Sequence, residues 1–305
     1  MKLSIVIPVF RSEKFVRLTV EKVREEISKF ESLFEIILVD DGSPDGSWHV
    51  IEVLAKEYKE VKSIKLVKNY GQHTAVLCGI ENAAGDFIIT MDDDLQNPPE
   101  DIPILLNKIE QGYDLVFAKF KQKKHASYRK LGTKIIGYLN DKIFNKPKDI
   151  TLTNYRIFTK NLAERIVAYR VNEPYIPGLL LMHASSIANV ETEHRERTVG
   201  GSNYTISKIL KLVSRLLFNY SSVPLKALSF IGGAISLFSF LGGIFALMNQ
   251  LISGSSVQGW TTLVVLLSFL NGFIILMLGV LGEYVIRLTK TISHERPYHI
   301  SRIVK

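Results

Sequence analysis

Short apolar runs and helical periodicities alternate along the first 120 residues. The runs at 3–9, 34–39, 63–67, 87–91 and 115–118 are rich in β-branched residues, which suits strands buried on both faces of a sheet. Between them Phe15, Leu18, Val23, Ile27 and Phe30 recur at helical spacing, as do Val50, Val53, Leu54 and Tyr58. The alternation predicts an α/β domain with a mostly parallel sheet and ligands gathered beyond the C-terminal ends of the strands. After Lys119 the pattern loosens into a basic helix at 127–144, an extended segment at 152–158, a helix at 161–169 and a polar strand at 187–192. Residues 205–220 set Ile206, Ile209, Leu210, Val213, Leu216 and Leu217 against Lys208, Lys211 and Arg215, the pattern of a helix lying in a membrane interface.

The strongest apolar signal comes later. No Asp, Glu, Lys or Arg occurs between Lys226 and Glu283, and the segments 227–248 and 260–281 each approach the roughly 20 residues that cross hydrocarbon as a helix. Gly254, Ser255, Ser256 and Gln258 mark a turn between them. A two-helix transmembrane hairpin is expected, with the domains falling at 1–204, an amphipathic segment at 205–225, the hairpin at 226–287 and a basic tail at 288–305. Lys208, Lys211, Arg215 and Lys226 precede the hairpin, and Arg287, Lys290, Arg296, Arg302 and Lys305 follow it. The uncharged turn lies between, so both ends and the large N-terminal part are placed in the cytoplasm.

Composition narrows the classes. The 305 residues are 47% hydrophobic and 22% charged, which fits neither a wholly embedded chain nor a disordered one. The net charge of +8 sits largely beside the apolar segments, where an anionic bilayer surface rather than nucleic acid explains it. No secretory signal is expected in residues 1–10, and the lone Cys78 excludes an intramolecular disulfide.

Two strand ends carry chemistry. The segment Phe87-Ile-Ile-Thr-Met-Asp-Asp-Asp-Leu-Gln96 delivers three carboxylates whose mutual repulsion a hard cation relieves. In an extended backbone Asp92 and Asp94 share a face that Gln96 extends, while Asp93 points away. The competing reading is a solvated acidic turn capping the next helix. The segment ending in Val39-Asp-Asp-Gly-Ser43 places Asp40 and Asp41 where a carboxylate accepts from a nucleobase or ribose, with capping by Ser43 or Asp45 as the plainer alternative. Farther on, Arg129 and Thr133 lie four apart on one helix face, and Lys119 ends the preceding strand, so together they suit a lipid phosphate. The run Lys121, Lys123, Lys124 reads as a surface loop.

These motifs, with Ser4-Ile-Val-Ile-Pro-Val9, Lys68-Asn-Tyr-Gly-Gln-His-Thr-Ala75 and Gly282-Glu-Tyr284, resemble the family 2 glycosyltransferases of GT-A fold. More narrowly they are similar to the polyprenyl-phosphate branch that includes dolichol-phosphate mannose synthase and bacterial undecaprenyl-phosphate sugar transferases. The resemblance implies that Pro8, Val9 and Asp40 hold the base, and that Asn69, Gly71 and Asp92 lie around the ribose and diphosphate, with Asp41 and Asp93 beside them. It implies Mg²⁺ or Mn²⁺ on Asp92, Asp94 and Gln96, and acceptor phosphate on Lys119, Arg129 and Thr133. Arg156 and Arg197 are the remaining cationic candidates, Arg197 matching an arginine that neutralises the leaving diphosphate. Asn154 stands where relatives often carry Asp; an amide cannot act as a base, so an orienting role is expected. Glu13 has no clean counterpart in the family pattern.

The activity implied is metal-dependent, inverting transfer of a sugar from a nucleotide-sugar, with UDP preferred, to a polyprenyl phosphate at a bacterial inner membrane. The alternatives are a weakly active nucleotide-sugar-binding scaffold and a transferase with another membrane acceptor. Small residues in the apolar segments, with Gly232 four before Ser236, Ser239 four before Gly243, and Gly272, Gly279 and Gly282 beyond, further suggest a homo-oligomer.

Overall fold

The computed structural model describes residues 1–30, 33–120, 127–169, 171, 173–192, 206–253, 259–292 and 296–305, with backbone alone at 127–135, 206–209 and scattered positions from 211 to 292. The elements run β1 (Lys2–Val9), α1 (Val16–Ile27), β2 (Leu33–Asp40), α2 (Ser47–Glu57), β3 (Val61–Leu66), α3 (Gln72–Glu81) and β4 (Phe87–Thr90). A short 3-10 turn at Pro99–Asp101 leads to α4 (Ile102–Ile109), β5 (Leu115–Phe120), α5 (Ser127–Phe144), β6 (Arg156–Thr159), α6 (Lys160–Ala168), α7 (Ile176–His183) and β7 (Ile187–Thr192). There follow α8 (Ile206–Tyr220), α9 (Val223–Ser253), α10 (Trp260–Ile292) and β8 (Ile300–Val304).

Eight strands form one sheet in the order β7-β5-β6-β4-β1-β2-β3-β8. The pairs β1/β2, β1/β4, β2/β3 and β5/β7 are parallel, while β6 and β8 run against their neighbours. Parallel neighbours need crossovers, which α1, α2 and α3 supply. Their apolar stripes pack on the sheet: α1 buries Val16, Thr19, Val20, Val23 and Ile27. Leu18, which the spacing assigned to this stripe, is instead 47% exposed; the buried set follows the three-and-four spacing from Val16.

One element departs from expectation. The residues after the apolar helices are not a free basic tail, because β8 pairs antiparallel with β3 at Ser63–Val304 and Lys65–Arg302. Tyr298 is buried and its hydroxyl donates to Glu81, while Arg302 pairs with Glu52 at 3.0 Å. Charged side chains are common on edge strands, so the charge of this segment concealed a strand. The helix α7 carries Pro177 and Gly178 in its first turn. Proline fits the first turn of a helix, and Gly178 makes room for the Phe144 ring, which a Cβ there would meet at 2.5 Å.

The chain divides into two compact units, Met1–Ile209 with Glu295–Lys305, and Leu210–His294. In the second, α9 and α10 meet where a Cβ on Gly232 would lie 3.2 Å from Phe273 and 3.3 Å from the Met277 sulfur. Tyr284 donates to the Ser221 carbonyl. Among the described residues one stretch, Phe269–Ile286, is long and apolar enough to cross a membrane, with mean hydropathy 2.0, and Val223–Ile235 is a shorter apolar run.

Candidate active site

The C-terminal ends of β1, β2 and β4 converge, and each delivers part of the site. At the end of β2, Asp40 sits opposite Val9 in the register. Its Oδ1 accepts from the Ser43 amide at 3.2 Å, while Oδ2 is buried with no partner among the described residues. Burial pushes this carboxyl above its usual range. A buried acceptor in that condition is costly unless a ligand supplies the donor. Pro8 borders the neighbouring cavity. The Val9 side chain is buried in the core, and its carbonyl accepts from the Asp41 amide at 2.9 Å, so it shapes the site through backbone.

Asp41 faces protein. Its carboxylate accepts from the amides of Tyr70 at 2.7 Å and Gly71 at 2.9 Å. Burial nevertheless raises it to about 6. Both oxygens are thus engaged in holding the 68–71 loop, rather than turned to a ligand. Gly42 permits the same approach: its φ is +65°, and a Cβ would lie 2.5 Å from the Lys68 carbonyl carbon. Gly71, at φ +97°, starts α3, and Asn69 stands exposed on the loop. Glu13 accepts from the Gly46 amide at 3.1 Å.

Beyond β4 the backbone turns sharply at Leu95, which has φ +59°. Asp92 accepts from Gln72 Nε2 at 2.6 Å and from Asn154 Nδ2 at 3.4 Å. Burial and then the nearby Asp94 charge raise its pKa, offset by the hydrogen bond from Asn154 and the charge of Arg156. Asp94 accepts from the Gln96 amide at 3.1 Å. Strand alternation does not arrange these carboxylates, because β4 ends at Thr90; the Asp93 carbonyl accepts from Thr19 Oγ1, Oδ2 is buried, and burial raises the carboxyl to about 7 against a hydrogen bond with Ser12. Among the described residues no three acidic, histidine or cysteine side chains form a closed metal cage. Magnesium-type sites commonly rest on one or two carboxylates plus substrate phosphates. The repulsion between Asp92 and Asp94 is the electrostatic condition that a cation relieves, so the residues fit such a metal.

Arg156 lies in the floor. It is 1% exposed and donates from Nε to Thr90 Oγ1 at 3.0 Å and from Nη1 to the Thr153 carbonyl at 3.4 Å. Burial lowers its pKa to about 10, so it stays charged at neutral pH. Arg156 therefore acts through the field at Asp92 and the wall of the cavity, not as an exposed clamp. That cavity, of about 10 Å³, is room for one water and is bordered by Pro8, Gln72, Thr90, Asp92, Asn154 and Arg156. Gln72 was the contact that the strand-end reading missed; its signal was the Gly-Gln-His element at the start of α3.

Lys119 is exposed near the end of β5. Arg129 and Thr133 fall within α5, with only their backbone described. Lys121, Lys123, Lys124 and Arg197 lie outside the described residues.

The family model for glycosyl transferase family 2 matches residues 4–170, which takes in every strand-end motif above. The chain belongs to this family. It is a glycosyltransferase. This family 2 glycosyltransferase is 32% identical over 306 residues to an undecaprenyl-phosphate 4-deoxy-4-formamido-L-arabinose transferase of Photorhabdus laumondii, covering 99% of this chain and 94% of the relative. The protein of the same name from Proteus mirabilis matches equally, at 32% identity with the same coverage. Among solved structures it is similar to glucosyl-3-phosphoglycerate synthase of Mycobacterium tuberculosis, crystallised with Mn²⁺, UDP and phosphoglyceric acid. The TM-score is 0.53 at 18% identity, over 72% of this chain and 76% of that one. This likeness concerns the GT-A-like α/β fold.

Proposed function

We propose that the enzyme transfers a sugar from a nucleotide-sugar, with UDP as the nucleotide, to a polyprenyl phosphate such as undecaprenyl phosphate, with inversion at the anomeric carbon. One observation carries this reading: the carboxylate site belongs to a chain whose likeness to undecaprenyl-phosphate transferases runs end to end, apolar helices included. The unpartnered Asp40 oxygen suits a nucleobase N–H, and the loop that Asp41 holds presents Asn69 and Gly71 to the ribose and diphosphate. Asp92, Asp94 and Gln96 would hold Mg²⁺ or Mn²⁺, which when bound supplies charge to offset the departing nucleoside diphosphate. Gln72 and Asn154 orient Asp92, and the charge of Arg156 favours its ionised form against the effect of burial and Asp94.

Asn154 donates to Asp92 and takes no proton. None is needed: a phosphate monoester has a second pKa near 6, so at neutral pH much of the acceptor is already a dianion able to attack the anomeric carbon directly. Lys119, Arg129 and Thr133 are assigned to that phosphate, and Arg197 to the leaving diphosphate.

The membrane assignment is a hairpin of α9 and α10. Residues before and after these helices belong to one folded unit, so a bilayer crossed by α10 has to be recrossed, and α9 is the helix available. Both termini and the catalytic unit then lie on the cytoplasmic side of a bacterial inner membrane. A homo-oligomer through the helices completes the reading. Gly232 is occupied within the hairpin, whereas a Cβ on Gly233, Gly242, Gly272, Gly279 or Gly282 would meet nothing within 4 Å, so these are the positions open to a neighbouring copy.

The test uses full-length protein in nanodiscs with undecaprenyl phosphate, Mn²⁺ and UDP-, GDP- or dTDP-sugars, including the sugar of the curated relatives. Formation of a lipid-phosphate sugar is expected from a UDP-sugar, and Asp94→Asn is expected to cut it by about 100-fold or more while the protein stays folded. Absence of lipid product with every donor, or transfer undiminished by chelator, overturns the reading.

A further inference from the structure

Tyr175, just before α7, lies where three elements meet. It is 5% exposed, and its hydroxyl accepts from Asn140 Nδ2 of α5 at 3.2 Å. Its ring packs on Phe144 of α5, centroids 5.8 Å apart, and against His73 of α3 in an edge-to-face contact at 5.3 Å and 82°. His73 borders the cavity that Asp92, Asn154 and Arg156 share, and its neighbour Gln72 makes the shortest hydrogen bond to Asp92. One aromatic side chain thus touches both the helix that carries Arg129 and Thr133 and the helix turn that orients Asp92.

Packing alone does not call for the polar half of this joint. Asn140 is 2% exposed, spends one donor on the Ile136 carbonyl within its own helix, and leaves Oδ1 buried with no partner among the described residues. A leucine there would avoid that cost. What the amide adds to the two ring contacts is a directional bond to Tyr175, which fixes the rotation and height of α5 relative to α3. Arg129 lies eleven residues before Asn140, or about 16 Å along the helix, so a small rotation at the joint is carried to the acceptor end.

Resting on the assignment of α5 to the acceptor phosphate, we propose that Tyr175 is a positioning residue. Through Asn140 and His73 it couples filling of the donor pocket to the seating of α5, so that each substrate tightens the binding of the other. Such coupling is reciprocal by necessity and is carried by an element whose arrangement both ligands bias. Tyr175→Phe cuts the bond to Asn140 and keeps both ring contacts. Asn140→Ala cuts the same bond from the other side and serves should the first variant fail to accumulate.

The experiment measures UDP affinity, in Mn²⁺, of full-length protein in nanodiscs with and without undecaprenyl phosphate. In the wild type the lipid is expected to tighten UDP by about fivefold, the scale of one buried hydrogen bond. In Tyr175→Phe and in Asn140→Ala the ratio should fall to about one, with UDP affinity in plain nanodiscs held within about twofold, and the double variant should do no more than either single. A wild-type ratio in both variants overturns the inference. So does a parallel loss of UDP affinity in plain nanodiscs, which marks a merely structural residue, or an additive double variant. A wild-type protein that makes lipid product yet shows no coupling also overturns it, and leaves the proposed reaction standing. Failure of the product assay removes both.

Discussion

Asp41 and Asn154 both engage neighbouring protein groups through hydrogen bonds. Asp41 reads as a ligand-facing carboxylate from its place after β2, but it holds two loop amides. Asp41→Ala is expected to lower stability by about 2 kcal/mol, or roughly 5 °C in melting temperature, and to loosen nucleotide binding through the 68–71 loop; thermal denaturation with and without UDP checks both effects. Asn154 puts an amide donor beside Asp92, where the aspartate of related enzymes would add a third negative charge. Asn154→Asp should therefore melt several degrees lower in chelator, by about 4 °C, with the gap narrowing in Mn²⁺. A variant equally destabilised in both conditions would disprove the electrostatic account. Sequence alone could find the run Asp92 to Asp94, because an apolar strand ending in three carboxylates stands out, but not the turn that arranges them, since β4 ends at Thr90 and Leu95 has φ +59°. It could not find the duty of Asp41, because two hydrogen bonds to a loop about thirty residues away leave no periodic trace.

At the level of elements, the β-branched runs announced β1 to β5 with boundaries within a few residues, since a strand buried on both faces has little freedom of composition. The helix α5 agreed at both ends with its expected span. The edge strand β8 escaped because an edge tolerates charge and is short, so its pattern is that of a polar tail. Its attachment is nonetheless firm: Tyr298 is buried beside Glu81, and the His299 carbonyl accepts from the Val67 amide at 3.0 Å. Tyr298→Ala should release this segment, and hydrogen exchange at β3 amides, and above all at Val67 just beyond them, should quicken by about tenfold or more while that at β1 stays slow. Unchanged protection at Val67 would mean that β8 holds without its anchor.

For the whole molecule, the two-span reading is checked by labelling from either side of sealed vesicles. Burial raises the Cys78 thiol to about 12, so the native chain gives little background with a membrane-impermeant maleimide. Ser255→Cys should label from the face opposite the catalytic unit, and Lys305→Cys from the same face; labelling of both from one side would refute the hairpin. The position of β8 also sets an order of events during synthesis. A ribosome delivers β3 some 230 residues before the strand that covers its edge, and all of the apolar helices emerge in the interval. The nascent catalytic unit therefore waits with an open sheet edge, a template for wrong pairing, until α8 to α10 have been made and β8 closes it. Maturation of the enzyme is in this way tied to completion of its apolar helices, and a chain truncated anywhere among them would leave behind not a separate enzyme but an unfinished one.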